Sequence, residues 1–320
     1  MANPLRILAP CIDWTRAAGG VRKLYRHVDV LNAAGIEAIV MHQQPGFRCT
    51  WFENQTRVSS YEQVGTPRQG DIFLVPEVLA WQFVTLWPGF PKVIFSQNAY
   101  QTFSWKQDEH TVSPYTHPEF KAVIVVSEDS RAYLQYTYPT LKNIHRIRYG
   151  IDPTVFFFDA NKKRQIAYMP RKLEQDARQV LAVLKYKGLL NNWDIVKIED
   201  KTESETARIL RETAIFLSLS TQEGWGLPPM EAMACGCLTI GYDGRGGAEF
   251  FKPPHATPID FQNIPAFAAA VEQAIHDIDS NPRPVWERTR QSAHFIAENY
   301  SPQIEAADIV ATWTRILESI

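Results

Sequence analysis

The stretch Ser218-Leu-Ser-Thr-Gln-Glu223-Gly-Trp-Gly-Leu-Pro-Pro-Met-Glu231-Ala-Met-Ala-Cys-Gly236 governs how the rest of this chain is read. An apolar strand ends near Ser218, a loop with two glycines follows, and a helix opens at Pro229, where a missing N–H does no harm. Gly236 closes that helix. Gly224 and Gly226 let the backbone approach a ligand, and the helix start offers unpaired N–H groups and a partial positive charge. This predicts an anion site at the carboxyl end of a parallel strand, where open α/β sheets bind ligands. Two carboxylates bracket it with seven residues between them, Glu223 on the loop and Glu231 in the first turn of the helix. Each can accept two hydrogen bonds from a vicinal diol such as a ribose or a hexose edge. A phosphate cradle between two diol acceptors fits a nucleotide sugar. Taken alone, Glu231 is as well explained by the helix dipole and Glu223 as a solvated loop charge, so the segment as a whole carries the reading.

Outward from this segment, short apolar runs alternate with amphipathic ones. Gln165–Met169, Trp193–Ile198, Ala214–Ser218 and Cys237–Gly241 read as strands, with helices at Leu173–Lys187, Glu203–Glu212, Pro229–Ala234 and Ile264–Ile278. Nearer the start, Arg6–Pro10, Glu37–His42, Asp71–Pro76, Lys92–Ser96 and Ala122–Ser127 are nearly continuous in Ile, Val, Leu and Phe, as strands covered on both faces are. Val21, Leu24, Val28 and Leu31 mark a helix over Val21–Ala34 that Gly35 ends. Repeated strand–helix–strand units predict an α/β chain of two doubly wound, Rossmann-like parallel-sheet domains. The boundary falls near Ile151, giving domains at 1–150 and 151–302, and 303–320 forms a final helix free to cross back to the first domain.

The 320 residues suffice for two such domains, and 45% hydrophobic with 21% charged residues is a globular composition. A net charge of −2 supplies no field for nucleic acid. No run approaches the ~18 apolar residues that span a bilayer, and Pro10 and Asp13 interrupt the opening stretch too early for a signal peptide. Cys11, Cys49, Cys235 and Cys237 lack the spacing of a zinc site or a disulfide framework, which fits buried thiols in a reducing cytoplasm.

The chain resembles the family-four retaining glycosyltransferases of the GT-B fold. Their E-G-F-G-L-P…E-A-M-A-x-G hallmark is matched by Glu223-Gly-Trp-Gly-Leu-Pro and Glu231-Ala-Met-Ala-Cys-Gly. Their N-G-x-D-x3-F linker is similar to Tyr149-Gly150-Ile151-Asp152…Phe156, with Tyr149 in place of Asn. Val126-Ser127-Glu128, Gly246-Gly247-Ala248-Glu249 and Gly19-Gly20 resemble further landmarks in the same order.

The resemblance implies two domains facing a central cleft, acceptor side first and donor side second. It implies a metal-independent hexosyltransferase whose donor is a nucleotide-diphosphate sugar, UDP-glucose on family frequency, with no further cofactor. Glu223 would contact the transferred sugar and Glu231 the ribose. The backbone of Gly224, Trp225, Gly226 and Leu227, with Gly19 and Gly20, would face the donor. Arg171 and Lys172 would neutralise the leaving diphosphate, an electrostatic role of large catalytic weight. They are adjacent, so one of them points to solvent, and Arg171 is favoured for its bidentate fork. Where the family has a histidine, this chain has Gln97 and Asn98, which can position a sugar hydroxyl but not titrate. His42 and His110 read as surface or structural residues.

The resemblance implies a glycan or a lipid-linked saccharide as the acceptor. Trp14, Trp51, Tyr100, Phe103, Trp105 and Tyr115 offer stacking faces, although core packing explains most aromatics. Arg16, Arg22, Lys23, Arg26 and His27 form a basic patch that could give weak peripheral contact with the inner face of a membrane. A donor-binding protein without transfer and a GT-B-like nucleotide-sugar epimerase are the competing readings. A sugar phosphorylase lacks a distinct cofactor lysine, and a dehydrogenase lacks G-x-G-x-x-G after its first strand.

Overall fold

The computed structural model describes residues 5–104 and 112–320. The chain divides into two compact units, residues 1–149 with 303–320, and residues 150–302.

In the first unit, β1 (Arg6–Pro10), α1 (Gly19–Ala33), β2 (Glu37–His42), β3 (Val58–Ser60), α2 (Tyr61–Val64), β4 (Asp71–Pro76), α3 (Glu77–Ala80), β5 (Lys92–Ser96), β6 (Phe120–Val125), α4 (Glu128–Thr137) and β7 (Ile144–Arg146) follow in order. The seven strands lie in the order β3-β2-β1-β4-β5-β6-β7, all parallel. The order runs outward from β1 in one direction and from β4 in the other, so the sheet reverses between these two strands. At their amino ends Arg6 grips Asp71 with two bonds of 2.9 and 2.7 Å, which sets their register. Leu8, Phe73, Val75, Ile94, Val123 and Val125 form the buried heart of this unit. Ser127 caps α4, accepting the N–H of Ser130 at 3.1 Å.

The second unit runs β8 (Lys163–Tyr168), α5 (Glu174–Tyr186), β9 (Asp194–Lys197), α6 (Glu203–Glu212), β10 (Thr213–Glu223), α7 (Leu227–Ala234), β11 (Leu238–Arg245), β12 (Thr257–Pro258), α8 (Ile264–Ser280) and α9 (Pro282–Asn299). Its parallel sheet has the order β12-β11-β10-β8-β9 and reverses between β8 and β10. Ile166, Leu217, Ile240, Phe267 and Val271 anchor its core. Lys162 closes α6 and α7 together: its ammonium donates to the carbonyls of Arg211 at 2.8 Å and Cys235 at 2.6 Å, where both helix dipoles end negative.

The last helix, α10 (Pro302–Ser319), adds its residues from 303 onward to the first unit. Trp313 is fully buried and donates Nε1–H to Nε2 of His27 at 2.7 Å. Glu305 accepts the buried Lys23 ammonium at 2.9 and 3.0 Å, and Asp308 takes the Arg148 guanidinium at 2.8 Å through each oxygen. The basic patch expected on α1 is thereby corrected. Lys23 and His27 face inward, because α1 is buried around more than half of its circumference and meets Glu305 and Trp313 of α10 at these two residues. Arg16 is exposed, while Arg22 and Arg26 are half-buried.

All four cysteines are buried and free. Among the described residues no helix is long and apolar enough to cross a membrane. Trp105 and His110 lie outside the described residues.

Candidate active site

β10 is longer than its apolar run, because Ser220 and Glu223 still pair with Asp243 and Arg245 of β11, with Thr221 and Gln222 bulged between them. The ladder shifts between Ser220 and Glu223, and Gln222 takes a left-handed φ of +46° at the irregularity. Glu223 therefore stands at the carboxyl edge of the sheet, with its side chain 19% exposed.

Close packing from β11 fixes this edge. A Cβ at Gly246 would stand 2.2 Å from the carbonyl oxygen of Gly224 and 2.5 Å from that of Glu223. At Gly244 it would meet Cγ of Glu223 at 3.1 Å. Trp225 points inward, 2% exposed, with its ring against Phe250 and Tyr300, each centroid 5.4 Å away. The buried indole thus anchors the loop to Phe250 and Tyr300.

The helix after the loop starts at Leu227, two residues before the expected Pro229, with Gly226 as its left-handed N-cap at φ +96°. Glu231 consequently lies in the second turn, not the first, and is buried at 5% exposure. Pro228 and Pro229 occupy the second and third helical positions. Neither has an N–H, so the helix start offers an anion fewer donors than the sequence reading assumed. The charge of a bound anion falls correspondingly more on side-chain cations.

Such a cation is present. Lys172, on the turn between β8 and α5, puts its ammonium 2.8 Å from Oε1 of Glu223 and donates to the Thr221 carbonyl at 2.9 Å. Arg171 is exposed, and among the described residues it forms no ion pair. The two adjacent cations thus diverge, with Lys172 on the carboxylate. Among the described residues no group of three or more His, Cys, Asp or Glu side chains could hold a metal ion.

In the first unit, Gly19 and Gly20 open α1 with no side-chain cap. Gln97 and Asn98 follow β5, and their backbone N–H groups donate to Oε2 and Oε1 of Glu77 at 3.0 and 3.1 Å. Glu77 is 6% exposed, and burial raises its carboxyl to about 7 despite those two bonds. The Gln97 side chain is also engaged: Nε2 donates to the Gly20 carbonyl at 3.0 Å, and the Tyr149 hydroxyl donates to Oε1 at 2.6 Å. Asn98 turns its Oδ1 to the N–H of Tyr100 at 3.1 Å. His42 is structural, held at 2.9 Å by Asp13 and at 2.6 Å by Tyr25 in full burial. Of the aromatics, Tyr115 is buried while Trp14 and Phe103 are exposed.

Residues 183–290, which include Glu223, Glu231 and Gly246, match the family Glycosyl transferases group 1. That segment of the chain is similar to the group 1 glycosyl transferases. An α-1,6-glucosyltransferase from Actinobacillus pleuropneumoniae serotype 7 (strain AP76) is 31% identical over 185 residues, covering 54% of this chain and 53% of that protein. The chain thus spans about half the length of that relative. Anabaena Alr3699/HepE, solved in complex with UDP and glucose, superposes with a TM-score of 0.71 over 97% of this chain and 100% of its own, at 12% identity. A sucrose-phosphate synthase from Thermosynechococcus elongatus reaches 0.70 over 99% of this chain and 100% of its own, at 13% identity. These superpositions identify the fold of this chain as two-domain α/β GT-B.

Sequence reasoning missed Glu77. A lone glutamate after an apolar strand and a proline carries no signal of its own, and its partners lie twenty residues away.

Proposed function

We propose that this chain is a retaining, metal-independent glycosyltransferase that moves a hexose, glucose, from UDP-glucose to a glycan or glycolipid acceptor. The observation that carries the reading is the placement of Glu223 and Glu231 about one helix start at the carboxyl edge of β10, inside the segment that matches the group 1 family. In this reading Glu231 accepts the ribose hydroxyls, and Glu223 accepts hydroxyls of the transferred sugar. Gly224, Gly226 and Leu227 present backbone to the diphosphate. Lys172 and Arg171 neutralise the charge that develops as the nucleotide leaves. The glucosyltransferase relative and the UDP- and glucose-bound neighbour support the donor assignment.

The reaction fits a same-face displacement. The acceptor oxygen bonds to the anomeric carbon, the bond from that carbon to phosphate breaks, and the departing phosphate oxygen takes the acceptor proton. No protein base is required. That suits a first unit in which Gln97 and Asn98 cannot titrate and Glu77 has both oxygens on backbone N–H groups. A peripheral membrane contact would fall to Arg16, Arg22 and Arg26, and co-sedimentation with anionic vesicles tests it.

Calorimetry against a panel of nucleoside diphosphates and their sugars, in wild type and Glu231→Ala, tests the donor site. Preferential binding of UDP species, lost in the variant, is the expected result, and binding of no panel member overturns it. NMR of the product anomer tests retention, and turnover in excess chelator tests metal independence. The engagement of Gln97 by Tyr149 and Gly20 favours one second reading, a donor-binding protein without transfer. Tight donor binding without UDP release under any acceptor would establish it.

A further inference from the structure

The Lys172–Glu223 ion pair joins the two charges on which the donor reading depends. A diphosphate needs the ammonium, and a sugar hydroxyl needs the carboxylate, yet here each satisfies the other at 2.8 Å. The two partners differ in freedom. Glu223 is held by the close approach of Gly244 and Gly246 on the β11 side. Lys172 sits on an exposed turn at the end of a four-carbon stem. The prolines at the second and third positions of α7 remove N–H donors that would otherwise compete with Lys172 for an anion.

We propose that Lys172 and Glu223 are exchange partners that make the site discriminate a nucleoside-diphosphate sugar from the free nucleoside diphosphate. The diphosphate draws Lys172 away from Glu223, and hydroxyls of the sugar replace the ammonium at the carboxylate. A free nucleoside diphosphate also takes Lys172 but leaves Glu223 with no partner from the ligand. The pair thus weakens binding of the free nucleotide relative to the sugar nucleotide and helps the spent nucleotide to leave. The inference rests on the donor reading given above and adds a specificity role to the pair.

The test is calorimetric titration with UDP and with UDP-glucose in wild type, Glu223→Gln, Lys172→Met and the double variant, with Glu223→Ala as a second replacement of the carboxylate. Freeing Lys172 is expected to tighten UDP about threefold to fivefold, as breaking a partly exposed ion pair allows, while the preference for UDP-glucose over UDP shrinks. In the Lys172→Met background the same change at Glu223 should leave UDP affinity unaltered. UDP affinity unchanged or weakened in both Glu223 variants overturns the inference alone. So does tightening that persists with Met at 172, which would be a general field effect. A wild type that binds neither UDP nor UDP-glucose overturns the donor reading itself.

Discussion

Tyr149 and Gln97 are hydrogen-bonded at 2.6 Å, with the phenol as donor. The proton roles are forced. The Gly20 carbonyl can only accept, so the amide nitrogen of Gln97 must face it, and Oε1 is left for Tyr149. Tyr149 stands where the resembled family pattern has Asn, and Gln97 lies in the stretch where that pattern has a histidine, so two of the departures from it meet in one contact. Tyr149→Phe, which keeps the ring 4.8 Å beneath the Lys23 ammonium, should cost about 1 kcal/mol of stability. Adding Gln97→Ala to it should cost less than Gln97→Ala does in wild type. A thermal-shift double-mutant cycle checks this, and strictly additive losses would refute the coupling.

Glu77 gives the first unit a pH dependence of definite sign. Its ordinary carboxyl pKa of 4.5 rises to about 7 in the fold, chiefly through burial. The folded chain therefore holds this proton at higher pH than the unfolded chain does. Its contribution is complete below pH 4.5 and is lost as pH rises through 7, a span of about 3 kcal/mol. Glu77→Gln should abolish that loss between pH 5 and 8. A pH series of melting curves that stays parallel for variant and wild type would contradict it.

His27 acts in the opposite sense. Burial lowers it from 6.5 to about 3, so it is neutral in the fold, where Nε2 accepts the Trp313 indole. Its contribution is present above pH 6.5 and is lost as pH falls toward 3, amounting to about 2 kcal/mol by pH 5. His27→Gln should flatten the acid side of the stability profile. Trp313→Phe should cost about 1–3 kcal/mol by leaving a second ring nitrogen of this buried histidine without a partner.

Gly246→Ala tests the support behind Glu223. The new methyl would meet the Gly224 carbonyl at 2.2 Å, so the loop must shift. Donor affinity should fall about tenfold, the effect of losing one well-placed polar contact. Isothermal titration reads this directly, and wild-type affinity in a folded variant would show that the loop does not need its present position.

Much of this was legible in the chain and some was not, for identifiable reasons. β1, β2, β4 and β5 fall at their expected limits because each is an apolar run bounded by a charge, proline or polar residue. β10 outruns its expected end because polar Ser220 and Glu223 pair with Asp243 and Arg245 of β11 across an irregularity. α9 went unread because Pro282 and Pro284 look like a loop, although both fall in its first turn, where proline is tolerated. At the candidate site, the strand, loop and helix that carry Glu223 and Glu231 were legible through a dense motif. The pairing of Lys172 with Glu223, like that of Glu77 with the loop after β5, joins residues far apart in the chain, and no local pattern encodes it.

The return of residues 303–320 to the first unit reverses the order in which the two units can mature. During synthesis Lys23 and His27 emerge early, but Glu305 and Trp313 leave the ribosome only after the whole of residues 150–302. The second unit is contiguous and can close as soon as its own last helix is out. The half of the protein that is made first is therefore the half that finishes last, because Glu305 and Trp313, which meet its Lys23 and His27 in the fold, follow the whole second unit in the chain.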